Sequence, residues 1–195
     1  MTAVFTLMFA QVLMGAFDTL WHHELSARLP QRGSARRELE LHSVREAIYG
    51  FLLVAFAWVQ WHGAWVLLPA LLLLVEVAIT CADFLEEDRS RRLPPTERVL
   101  HTLLAVSYGV LLGLLAPVFA AWAALPTGLR FEDHGATSWF FTLAGFTVLA
   151  WGARDALAVR QLRSGLPASG AAGRPAGPAI LVTGGTGFIG SRLVR

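Results

Sequence analysis

The chain has 195 residues, 55% of them hydrophobic and 15% charged, with a mean hydropathy of +0.53. That composition excludes a disordered chain and does not suit an ordinary soluble domain. All 16 basic residues are Arg; they lie between apolar blocks rather than on one face, which excludes a nucleic-acid-binding surface and marks a membrane protein. Cys81 is the only cysteine, so neither a disulfide framework nor a thiolate metal site is expected.

Five apolar segments follow one another along the chain. The first runs from Ala3 to Leu20; with no Lys or Arg ahead of it and no small-x-small site at its end, it reads as a retained helix rather than a cleaved leader. The second, Ala47 to Trp61, is short, but a helix starting near Ala35 behind a Ser34 N-cap gives it the length to cross. Only His62 and Gly63 separate it from the third, Ala64 to Ala82, which predicts a tight helical hairpin. The fourth runs from Val99 to Leu125 and the fifth from Trp139 to Ala153. Most approach the ~20 residues a helix needs to cross ~30 Å of hydrocarbon. The expected fold is an all-α membrane domain over residues 1–161, with five transmembrane helices in a bundle.

Arg placement orients that bundle. Arg28, Arg32, Arg36, Arg37 and Arg45 lie between segments one and two, Arg89, Arg91, Arg92 and Arg98 between three and four, and Arg154, Arg160, Arg163 and Arg174 after five. The alternate side has Arg130 alone. This bias predicts an inner-membrane protein with its N-terminus outside and its C-terminus cytoplasmic. Trp58, Trp61, Trp65, Trp122 and Trp139 then gather at the outer interface, where indoles favour the headgroup level.

Polar residues recur at helical spacing toward the opposite ends. Gln11, Asp18 and His22 share a face of the first helix, Glu38, His42 and Glu46 of the second, Glu76, Thr80, Asp83 and Glu87 of the third, and Glu97 and His101 of the fourth. Imidazoles and carboxylates converging in one layer of a bundle suit Fe, Zn or Mn. The candidate ligands are Asp18, His22, His42, Glu46, Glu76, Asp83, Glu97 and His101. A metal-free polar network, or a haem held by two of His22, His42 and His101, would use the same residues. Glu38, Glu40, Glu86, Glu87 and Asp88, beside Arg clusters, read as solvated ion pairs, and His23 and Glu24 are grouped with them. Glu76 lies deep enough to require a partner, for which a cation, a His or Arg154 are candidates. Gln11 reads as a helix–helix hydrogen bond.

Residues 162–178 (LRSGLPASGAAGRPAGP) read as a flexible linker. After it, AILV leads into Thr183, Gly184, Gly185, Thr186, Gly187, Phe188, Ile189 and Gly190, then an apparent helix start. In such a strand–turn–helix the first glycine permits the tight turn, the second lets backbone N–H groups approach a pyrophosphate, and the third lets the helix pack on the sheet. TGGTGFIG resembles the opening of extended short-chain dehydrogenases/reductases, particularly their epimerase-like members. The resemblance implies a Rossmann α/β domain starting at 179–195, binding of NAD or NADP through residues 183–190, and a catalytic Tyr-x-x-x-Lys pair. A chain without Lys cannot carry that pair, so residues 179–195 read as the truncated start of the domain.

FDTLWHHELSARLP and EEDRSRRLPPTERVLHT likewise resemble bacterial membrane domains of unknown function placed ahead of epimerase-like reductases. Three functions are expected on these grounds. The first is a membrane-tethered NAD(P)-dependent oxidoreductase or epimerase whose catalytic residues lie outside this sequence. In the second, the membrane domain is itself a metal-dependent enzyme, with one metal ion or two as in di-iron carboxylate bundles, acting on a lipid or isoprenoid. The third is an ion- or proton-binding transporter or sensor. The expected partners are the bilayer and a lipid-like substrate.

Overall fold

The computed structural model describes residues 1–31, 33–90 and 92–164. Residues 165–195, which include the rest of the stretch expected as a linker and the glycine motif at 183–190, lie outside them; Leu162–Ser164, expected to open the linker, end the last helix instead. The described chain is mostly helical: α1 (Thr2–Phe17), α2 (Arg36–Trp58), α3 (Leu67–Ser90), α4 (Pro95–Ala123) and α5 (Ala136–Ser164), with two short strands, β1 (Val59–His62) and β2 (Gly128–Phe131). Four helical stretches are long and apolar enough to cross a membrane: Thr2–Ala27, Gly63–Arg89, Pro95–Ala123 and Ala136–Ser164. Leu13, Leu71, Leu74, Leu103, Val106, Leu143 and Phe146 leave these helices with exposed apolar faces, the pattern of a membrane protein. α2 is not among the four, because its first half carries Arg36, Arg37, Glu38, Glu40, Arg45 and Glu46.

The connections differ from the sequence reading in three places. Ala35, not Ser34, is the N-cap of α2, and no side chain caps it; Ser34 lies within a 3-10 turn, Gly33–Ala35, that feeds straight into the helix. The second segment stops being helical at Trp58. Val59–His62, rich in β-branched and aromatic side chains, pairs antiparallel with Gly128–Phe131 in the loop after α4, Val59 opposite Phe131 and His62 opposite Gly128. The expected helical hairpin is therefore a strand followed by a 3-10 turn, Gly63–Val66. Gly63 makes the corner at φ +56°, where a Cβ would also come within 2.4 Å of Thr127 Oγ1.

The small sheet closes one end of the bundle. Trp58, Trp61, Trp65, Trp122 and Trp139 all belong to that end, Trp58 stacking on Phe131 and meeting Trp139 edge-on. Ser138 donates to Ala57 O at 2.6 Å, and Glu132 N–H donates to Trp58 O at 2.9 Å, which fastens the start of α5 and the β2 loop to α2. The main apolar core lies between this end and mid-bundle, around Met8, Leu53, Phe56, Leu73, Leu115 and Phe141. A smaller core of Ala27, Leu29, Ala35, Leu39 and Val159 closes the other end. The charged layer lies between the two.

α2 and α5 approach closely where Gly50 faces Gly145; a Cβ on Gly145 would lie 2.6 Å from Val54 Cγ2 and 2.8 Å from Gly50 O. Such overpacking costs about 1–3 kcal/mol. Gly145→Val is expected to lower the melting temperature in detergent, while Gly113→Ala, with no atom within 4 Å of the added carbon, leaves it unchanged or slightly raised.

Candidate metal centre

The layer begins with a change of helix type. After Phe17 the first helix continues to Ala27 as a π-helix, ended by Arg28 at φ 51°, whose N–H donates to His23 O. In an α-helix the i+4 residue stacks on residue i; the wider π turn brings i+4 and i+5 to the same face. Both His22 and His23 accordingly reach Asp18. His22 Nδ1 is 2.8 Å from Asp18 Oδ1, and His23 Nε2 is 3.5 Å from Asp18 Oδ2. Glu24 pairs two-on-two with Arg154 of α5, at 2.6 and 2.9 Å, and Arg154 lies over the Trp151 ring at 4.8 Å. This pair ties the π-helix to α5.

α4 supplies the opposing face. Pro95 occupies its first turn, where no intrahelical N–H is lost, and Glu97 and His101 follow four residues apart on the inner side. His101 Nε2 is 3.0 Å from Asp18 Oδ2 and its Nδ1 is 3.2 Å from Glu87 Oε2 of α3. Phe84 stacks on the His101 ring, with centroids 5.8 Å apart. His23 Nε2 is 3.6 Å from Glu97 Oε1. Asp18, His23, Glu97 and His101 thus offer donor atoms that all lie within 4.8 Å of one another, and His23, His42 and Glu87 do the same. This buried His/Asp/Glu group can hold a metal ion.

The remaining ligand candidates fall around that core. His42 of α2 lies 3.0 Å from Asp83 Oδ2, and Arg45 one turn on holds the same oxygen at 3.1 Å. His22 has both ring nitrogens engaged, Nδ1 by Asp18 and Nε2 by Thr96 Oγ1 at 3.3 Å, so it orients Asp18 instead of facing the donor space. Glu46 points toward α5, its Oε2 3.3 Å from where a Cβ on Gly152 would sit. Glu76 stands apart from the layer: Tyr108, not among the partners expected for it, donates to its Oε2 at 2.8 Å, while Arg154 pairs with Glu24. Gln11 forms the expected interhelical bonds, accepting from Tyr49 at 2.7 Å and donating to Ser107 at 3.2 Å.

Three residues read as solvated from sequence are buried: His23 at 5% exposure, Glu38 at 0% and Glu87 at 2%. Glu38 and Glu87 stand four residues from His42 and Asp83, a spacing that identified their face. His23 left no such trace, because the π turn has no marker in the residue pattern.

His23 Nε2, His42 Nε2, Asp83 Oδ1 and His101 Nδ1 are buried and make no hydrogen bond, although carboxylates lie within contact distance of all three imidazoles. Imidazole nitrogens and carboxylate oxygens gathered in one buried layer, with no sulfur among them, fit a borderline or hard divalent cation. Comparison with protein-family models, curated proteins and solved structures finds no match to this chain.

Asp18 is in contact with three imidazoles, and removing one partner from a buried charged set costs about 3–5 kcal/mol. Asp18→Ala is expected to lower stability by that order in detergent unfolding followed by tryptophan fluorescence. Glu40→Ala, which removes pairs to the exposed Arg37 and Arg163, is expected to cost under about 1 kcal/mol.

Proposed function

We propose that the helical domain is a membrane-embedded metalloprotein that binds Fe, Mn or Zn at Asp18, His23, Glu97 and His101 and carries out metal-dependent chemistry on a lipid or isoprenoid substrate. The observation that carries this reading is the mutual proximity of those four donors, from two different helices, inside one buried layer. A bound ion of this kind supplies Lewis acidity, and Fe or Mn supplies redox chemistry as well. The chain's own residues do the rest. His22 and Thr96 fix the Asp18 carboxylate, Phe84 fixes the His101 ring, and the Glu24–Arg154 pair holds the segment that presents His23. A lipid substrate suits the position of the layer, near the end of helices whose outer faces are apolar.

In this reading α2 is a fifth crossing, its charged half lying within the layer and its apolar half, Ala47–Trp58, reaching the sheet end. The Arg bias favours the layer on the cytoplasmic side and the sheet outside. The expected outcome is that the full chain, purified in detergent from cells grown with Fe, Mn and Zn, retains at least one equivalent of one of these metals. His101→Ala is expected to lose it and Glu40→Ala to keep it. A wild-type chain that retains none, and takes up none when each is added, contradicts the reading.

The glycine motif supports a second reading on its own observation. TGGTGFIG at 183–190, following a β-type run, fits the phosphate turn of a nicotinamide-dependent oxidoreductase or epimerase tethered by the helices. Titration of the full-length gene product with NADH and NADPH is the test. Saturable binding abolished by Gly187→Val supports a nucleotide-binding unit, and absence of binding to either contradicts it.

A further inference from the structure

The metal reading accounts for one half of the layer and leaves the other half with groups it does not use. On α2 and α3, His42 and Glu87 belong with His23 to a second group of donors within 4.8 Å of one another, and Asp83 adjoins it through His42. His42 Nε2 is 3.0 Å from Asp83 Oδ2 yet makes no hydrogen bond, and the other oxygen, Asp83 Oδ1, is buried with no hydrogen bond at all. Asp83 is 1% exposed and His42 5%. Arg45 bonds Asp83 through Oδ2 and leaves Oδ1 without a hydrogen bond. Leaving a buried donor or acceptor unsatisfied costs about 1–3 kcal/mol, so His42 Nε2 and Asp83 Oδ1, both buried and without a hydrogen bond in one side-chain pair, call for a ligand.

Ligand number points the same way. A single first-row divalent ion takes about four to six donors. Asp18, His23, Glu97 and His101 already meet the lower figure, and His42, Asp83 and Glu87 are surplus to it. The two sets adjoin: the His23 and His42 rings are 4.5 Å apart, and His101 touches Asp18 through Nε2 and Glu87 through Nδ1. A layer of several carboxylates and imidazoles drawn from four helices is the composition with which bundles hold paired ions, and ions about 3.5–4 Å apart in such sites share their carboxylates.

We propose that a second divalent cation binds beside the first, between His42, Asp83 and Glu87, so that the layer holds a two-ion centre. The inference rests on the metal reading above. α4 and the π-helix after α1 hold one ion, α2 and α3 the other, and His23 of the first set borders the second. Losing His42 therefore removes one ion and leaves the other in place.

The test uses Mn(II) as the probe, added to the full chain after removal of other metals, with total metal measured by mass spectrometry and coupling by electron paramagnetic resonance. Two Mn(II) per chain with a spin-coupled multiline signal are expected. His42→Ala and the milder His42→Gln are expected to hold one ion with an uncoupled six-line signal. One ion in the wild type, lost in His101→Ala and kept in His42→Ala, overturns the second site and leaves the first standing. No ion at all overturns both. Two uncoupled ions that survive the His42 substitutions mark binding elsewhere and also overturn the proposal. Should both His42 variants fail to fold, wild-type stoichiometry and coupling still decide it.

Discussion

The Asp18 carboxylate meets His22 on one oxygen and His23 and His101 on the other. A buried carboxylate has no bulk water to solvate it, so its environment must be built from protein groups or a bound cation. That requirement shapes much of the surrounding fold. It draws the π-helix, α3 and α4 together at one depth, and Arg45 and His42 extend the arrangement to α2 through Asp83. The apolar cores on either side then seal the layer. The same residues that make this end of the bundle costly to assemble make it suited to a cation.

The π-helix is the device that concentrates imidazole there. With α geometry throughout, His22 would lie over Asp18 and His23 would turn away from it. The wider turn puts both on the carboxylate and divides their work: His22 is engaged on both nitrogens and orients Asp18, while His23 faces Glu97 and His42. π segments have poorer hydrogen-bond geometry than α-helices and survive where other contacts over-determine them. Here those contacts are the Glu24–Arg154 pair and the carboxylates around His23. Arg28, a non-glycine residue in the left-handed region, ends the segment.

Long apolar runs made the helices legible from sequence, and the four-residue spacing of Asp18–His22, Glu38–His42 and Glu97–His101 marked the faces that meet. What could not be read was set by tertiary contacts. Val59–His62 became a strand only because Gly128–Phe131, far along the chain, offers a partner. His23 entered the centre through a change of helical period that no residue type announces. Glu38 and Glu87 were assigned to solvent because charges near helix ends generally are solvated; Glu38 instead adjoins Leu39 of the smaller apolar core, and Glu87 lies against His101 of α4. Glu76 was readable as a group in need of a partner, but Tyr108, thirty-two residues away, was identifiable only from the packing of α3 on α4.

The central claim is that this layer is a metal centre built from imidazole and carboxylate. X-ray absorption at the edge of whichever metal the full chain retains on purification tests it most directly. The account predicts a first shell of nitrogen and oxygen with no sulfur, together with the outer-shell scattering of coordinated imidazole rings, diminished in His23→Ala. An all-oxygen shell with no imidazole scattering, identical in the wild type and the variant, would contradict it.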